Sequence, residues 1–98
     1  MDPVMNKAHI TAPLTPELEP FRDDLEYFVR TMVRKLHINR HKGFSEGVNI
    51  IDLLDGTEQE YFELRAAVRE ESQFEAVLEA VDVANMAFLV ALKTWQMT

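Results

Sequence analysis

The sequence predicts an all-α protein with three main helices per chain, a bundle that self-association completes. Three observations point there. Apolar residues recur every three or four positions along three long segments, the period of a helix with one covered face. Two short breaks part those segments: Asn39–Gly47, which is basic and carries two glycines, and Arg69-Glu70-Glu71-Ser72. Finally, 98 residues with 47% apolar content make one small domain. That is enough for a core, yet three helices of this length leave much apolar surface, which favours self-association.

Composition narrows the function classes. There is no cysteine, so disulfides and thiolate metal ligands are excluded. The net charge of −7 argues against a duplex nucleic-acid partner. No apolar run reaches the ~18 residues of a membrane span, and the longest, Val83–Leu92, is interrupted by Asn85. The opening MDPVMNKAHITAP lacks the apolar stretch of a signal peptide, so the expected compartment is the cytoplasm.

Residues 1–14 carry two prolines and no period, and read as a flexible arm; the helical domain is expected over 15–98. Thr15-Pro16-Glu17 and Pro20 both offer a first-turn proline, so the first helix starts between Glu17 and Phe21. It runs to about Ile38. Leu18, Phe21, Leu25, Phe28, Met32 and Leu36 form a stripe expected to be core, widened by Val29 and Val33. Asp23 and Asp24 near its start, and Arg30, Arg34, Lys35 and His37 towards its end, complement the helix dipole.

The loop that follows holds Arg40, His41 and Lys42 close to His37, the most basic short run in an acidic chain. Taken alone, it is a solvated loop whose charges suit the end of a helix. Its functional reading is phosphate contact, with glycines that let backbone approach a ligand.

The second helix is expected over about Val48 to Glu70. One stripe is Ile50, Leu54, Thr57, Tyr61, Leu64 and Val68; Leu53, Gly56 and Ala67 lie with the acidic residues on another face. Thr57 with Glu60 spells a capping box, but a continuous helix is favoured. Gly56 either lets another helix pack closely or makes room for a ligand. The third helix is expected from about Gln73 to Trp95, opened by the capping box Ser72 and Glu75. Its stripe includes Phe74, Val77, Leu78, Val81, Ala84, Phe88, Leu92 and Trp95. Asn85, one turn beyond Asp82, either satisfies itself in the core or orients a carboxylate or substrate.

The stretch from Gln59 to Asp82 organises these elements. Glu60/Glu63 and Glu79/Asp82 are each spaced i, i+3, one turn apart on one helix face. They are mirror-placed about Glu71: Glu63 and Glu79 are equidistant from it, and so are Glu60 and Asp82. An antiparallel hairpin with equal arms would bring the pairs to equal heights, roughly 12 Å and 17 Å from the turn at ~1.5 Å per residue. ExxE or ExxD alone is usually a solvated acidic face. Here the second pair sits in the otherwise apolar FEAVLEAVDVANMAFLVAL, where an aspartate is costly unless paired or metal-bound. Two charges ~4 Å apart repel by about 4 kcal/mol at an effective dielectric of ~20, so the group calls for protons or a cation. All-oxygen ligation suits Mg²⁺, with Mn²⁺ as the alternative.

Gln59-Glu60-Tyr61-Phe62-Glu63, then Glu79-Ala80-Val81-Asp82 continuing as Val83-Ala84-Asn85, is similar to the EExxE, spacer, ExxD signature of the MazG-like all-α nucleoside triphosphate pyrophosphohydrolases. Asn39-Arg40-His41-Lys42-Gly43 resembles the NxHKG segment of their small phage- and integron-type members. The likeness spans roughly residues 25–92. It implies a MazG-like four-helix bundle, and a homodimer or homotetramer in which chains complete each other's bundles. It also implies Mg²⁺-dependent cleavage of a (deoxy)nucleoside triphosphate to monophosphate and pyrophosphate, in a house-cleaning role. The metal ligands would be Glu60, Glu63, Glu79 and Asp82, with Glu63 as the preferred base. Substrate contacts would fall on Lys42 and Asn85, and on Asn39, Arg40 and His41. Gln59 departs from the pattern: an amide in place of the first Glu removes any role as a base or outer carboxylate. The competing reading is a non-catalytic helical module for dimerisation or nucleotide-dependent regulation. A di-iron bundle is set aside, because no histidine stands in Glu-x-x-His spacing.

Overall fold

The computed structural model describes residues 12–44 and 46–96. Residues 1–11 of the expected arm lie outside them, and 12–14 carry no regular structure. The described residues are all helical apart from turns and loops, with three α-helices and no strand. No helix among them is long and apolar enough to cross a membrane. The chain divides into two compact units between His41 and Lys42.

In the first unit a short 3₁₀ turn, Glu19–Phe21, leads into α1, Arg22–Ile38. Pro20 sits in that turn, where a missing N–H costs nothing. Leu18 and Glu19 donate their backbone N–H groups to Thr15 O at 2.9 and 3.0 Å, which tightens the approach. Arg22 grips Glu19 with both fork nitrogens, at 2.7 and 3.0 Å. At the far end Asn39 N donates to Lys35 O at 3.0 Å and closes the last turn.

The apolar stripe of α1 is not a core, contrary to its sequence reading. No residue of α1 is buried. Leu18, Phe21 and Leu25 are exposed, and Phe28, Met32 and Leu36 are half-buried. The reason is physical: period shows that a helix has an apolar face, while burial needs a second surface. The described part of this unit supplies one helix and a turn.

The second unit is a helical hairpin. α2 spans Ile50–Arg69 and α3 spans Gln73–Gln96. α2 starts two residues later than Val48, because Asn49 caps it: its extended backbone turns the chain, and its Oδ1 accepts from Asp52 N at 2.9 Å. The helix runs unbroken through Gly56. Thr57 does not cap a new helix; its hydroxyl donates to Leu53 O, one turn back, at 2.8 Å.

The turn is a Schellman motif. Ser72 N donates to Ala67 O at 3.2 Å and Glu71 N to Val68 O at 3.1 Å. Glu71 takes the left-handed position, φ 59°, where glycine is usual. Ala76 N then donates to Ser72 O at 2.9 Å and opens α3 at the place the sequence marks.

The arms pack closely along one face of each. Leu53, Ala67, Val81 and Asn85 are the buried residues of the described chain. A Cβ built on Gly56 would lie 2.7 Å from Met86 Cε. Of its two sequence readings, the structure therefore gives Gly56 the packing one.

Candidate metal centre

Glu60 stands on α2 one turn beyond Gly56, and Glu79 and Asp82 stand one turn apart on α3. The hairpin brings these three together: each offers a carboxylate oxygen, and those oxygens all lie within 4.8 Å of one another. The register is the one set by the turn. Glu60 and Asp82 are equidistant from Glu71, and so are Gly56 and Met86, which touch.

The three carboxylates are half-buried, and Glu60 Oε2 and Glu79 Oε2 are shielded from solvent. Glu60 Oε2 accepts no hydrogen bond. Glu60 is pushed up from 4.5 to about 7: burial disfavours its charge, Glu63 lies near enough to share a proton with it, and the charges of Glu63, Asp82 and Glu79 repel it. A carboxyl held half-neutral at physiological pH, first by burial and then by three neighbouring carboxylates, marks a concentration of acidic groups on this face.

Glu63 stands outside the converging three. It is exposed on α2, beside Glu60. Asn85 continues the face of Asp82 one turn on, 8% exposed, with Oδ1 shielded from solvent. Thus the hairpin gathers Glu60, Glu79 and Asp82, with Glu63 at the edge and Asn85 one turn further.

The other named residues lie around the division between the units. Asn39 ends α1, and Arg40, His41 and Lys42 form a 3₁₀ turn of exposed side chains. Arg40 Nη1 donates to His37 O at 2.7 Å and lies 3.2 Å from His37 Nε2, which is the helix-end role expected of a solvated loop. Lys42 opens the second unit. After it Gly43 and Gly47 hold φ near 75° and 73°, a conformation side chains rarely take, and Phe44 N donates to Glu46 Oε2 at 2.9 Å.

The sequence reading passes over Met86. Its signal was present: it mirrors Gly56 about Glu71, by the same symmetry that pairs the acids.

The donor set can be tested for fit to a cation. Three carboxylates with an unbonded, desolvated oxygen on Glu60 form an all-oxygen, hard-ligand group, which suits Mg²⁺ or Mn²⁺ and has no soft or imidazole ligand. Comparison of the chain with protein-family models, with curated proteins and with solved structures finds no match.

Proposed function

We propose that the α2–α3 hairpin holds Mg²⁺, and that the protein uses it to hydrolyse a (deoxy)nucleoside triphosphate to monophosphate and pyrophosphate. The observation that carries this reading is the convergence of Glu60, Glu79 and Asp82 within 4.8 Å, with the Glu60 carboxyl raised to about 7 by burial and by its acidic neighbours. The resemblance of Glu60–Glu63 and Glu79–Asp82 to the MazG-like signature supports the reaction class.

Glu60, Glu79 and Asp82 would hold the ion. Bound there, Mg²⁺ supplies charge neutralisation at phosphoryl oxygens and a lowered pKa for water. The chain does the rest. Glu63, exposed beside Glu60, would accept a proton from a water entering the site. Asn85 offers an amide to a substrate or to Asp82. Lys42, Arg40, His41 and Asn39 are the candidates for phosphate contact, as charge-assisted donors or through the amide of Asn39. Self-association into a homodimer or homotetramer belongs to the same reading, since large apolar side chains such as Tyr61, Phe62, Val68, Phe74 and Trp95 are exposed on the hairpin.

That exposed surface also favours a second reading, a helical dimerisation module without catalysis. One experiment separates them: pyrophosphate release from the four canonical dNTPs and dUTP, with Mg²⁺ or with EDTA, using the wild type and Asp82→Ala. The hydrolase reading expects release that needs both Mg²⁺ and Asp82. Turnover unchanged in Asp82→Ala would remove the site, and silence across the panel would leave the dimerisation module.

A further inference from the structure

Charge on α2 is divided along its length. One edge of its outer face carries Asp55 and Glu58 in the first half of the helix, and Arg65 and Arg69 in the second. All four side chains are exposed, and none makes an ion pair among the described residues. At i±3 and i±4 each has only charges of its own sign, which costs an isolated helix stability. The helix dipole favours acids early and bases late, but only within the first and last turns. Glu58 and Arg65 lie inside those turns, in the body of the helix.

The pattern has a centre. Asp55 mirrors Arg69, Glu58 mirrors Arg65 and Leu54 mirrors Val68 about the neighbouring positions Tyr61 and Phe62. Leu54, Tyr61 and Val68 recur every seven residues, the spacing of a seam between paired helices, and each is about half exposed. A sequence that mirrors apolar onto apolar and acid onto base is complementary to itself when turned end for end.

We propose that the outer face of α2 pairs with the same face of a second copy, antiparallel, about a twofold axis beside Tyr61. Asp55 then meets the partner's Arg69, and Glu58 meets the partner's Arg65, while Leu54, Tyr61 and Val68 form the seam between them. A twofold contact of this kind uses one patch on both copies and closes on itself. A parallel pairing would set acid against acid and base against base, so charge selects the antiparallel one. This pairing rests on the self-association included in the hydrolase reading, and gives it one surface and one direction.

Sedimentation equilibrium of the full-length chain tests this. Asp55→Arg/Glu58→Arg makes the edge wholly basic, and Arg65→Glu/Arg69→Glu makes it wholly acidic. Each variant alone should associate at least about tenfold more weakly than the wild type, since every attractive pair turns repulsive. Mixed in equal amounts, the two should recover association to within about threefold of the wild type. A monomeric wild type, variants that associate as the wild type does, or a mixture that does not recover would overturn the pairing. The chain has no cysteine, so single introduced thiols report its direction. Tyr61→Cys, beside the axis, should form a disulfide between copies in air. Leu54→Cys should not, because the axis would set its two copies ~21 Å apart along the helix. Cross-linking of Leu54→Cys alone would mean parallel helices and would overturn the pairing.

Glu60, Glu79 and Asp82 come from one hairpin, so the pairing can fail while the acidic site stays whole. Pyrophosphate release by a wild type whose association ignores both charge variants would remove this interface and keep the hydrolase. Silence in a wild type whose association follows the charges would remove the hydrolase and keep the interface.

Discussion

The two faces of α2 meet different surroundings. One carries Leu53, Gly56, Glu60 and Ala67 and lies against α3: two of these are buried, one touches Met86, and one joins Glu79 and Asp82. The other carries Leu54, Tyr61 and Val68, all about half exposed. The face with more large apolar side chains is thus the outer one. The inner face is made of one leucine, two small residues and one acid, and Gly56 and Ala67 let the helix backbones approach. Within this chain, closeness of fit decides which side of the helix is inside. The outer face leaves its hydrophobic surface exposed, and the inner face can hold carboxylates at a fixed spacing.

The largest expected effect lies in replacing neighbouring acids on opposite sides. On the proposed hydrolase reading, Glu60→Ala should lower Mg²⁺-dependent pyrophosphate release by ~100-fold or more, since even an outer partner of a metal ligand is worth about 10–100-fold. Glu58→Ala, on an exposed position of the same helix, should leave release within about twofold. A steady-state assay of both variants checks this, and equal losses would mean that the inner face has no special role.

Leu53 and Leu54 give the second contrast. Leu53 is 4% exposed and Leu54 is 48% exposed. Leu53→Ala should cost about 2–5 kcal/mol through lost transfer energy and a cavity. Leu54→Ala should cost about 0.5 kcal/mol or less when the chain is dilute. Urea denaturation across protein concentrations measures both. A cost for Leu54→Ala that grows with concentration would place Leu54 in a contact between copies.

A third effect comes from pH. Glu60 is raised from 4.5 to about 7, so the folded chain holds a proton there that the unfolded chain has released. Its contribution to stability is fully present below about 4.5 and is lost as pH rises through about 7. Thermal melts of metal-free protein should fall over that window, and Glu60→Gln, neutral throughout, should flatten the fall. Mg²⁺ added at pH 8 should restore stability by about 2.7 kcal/mol at a hundredfold excess over its Kd. No response to Mg²⁺ at pH 8 would argue that the acids are only an acidic cluster.

These contrasts show how much was legible in the sequence. The helix-forming segments were, because periodicity, Asn39–Gly47 and the Ser72 start are local signals. The meeting of Glu60 with Asp82 was legible because symmetry about Glu71 turns a tertiary contact into counting along two equal arms. Glu63 escaped that reasoning: spacing of i, i+3 gives a shared face about 60° wide, and Glu63 sits at its solvent edge. The expected core of α1 failed for another reason. Its stripe is real, but what covers a stripe is a non-local fact that a period does not contain.

The smallest effect tests the turn on which that counting depends. Glu71 holds φ 59°, a conformation that costs a side-chain-bearing residue about 1–2 kcal/mol. Glu71→Gly removes this cost but adds about 0.5–1 kcal/mol of unfolded-chain freedom. The net should be a gain of about 0.5 kcal/mol, read as a higher urea midpoint, with Mg²⁺ affinity unchanged. Glu71→Pro should act in the opposite direction, because proline fixes φ near −65° and has no N–H for Val68 O. It should lower the midpoint and weaken Mg²⁺ together, since shifting the turn shifts Glu60 against Asp82. Glu71→Pro that loses stability but keeps its Mg²⁺ affinity would show that the close contact of Gly56 with Met86, and not the turn, holds the register of the inner face.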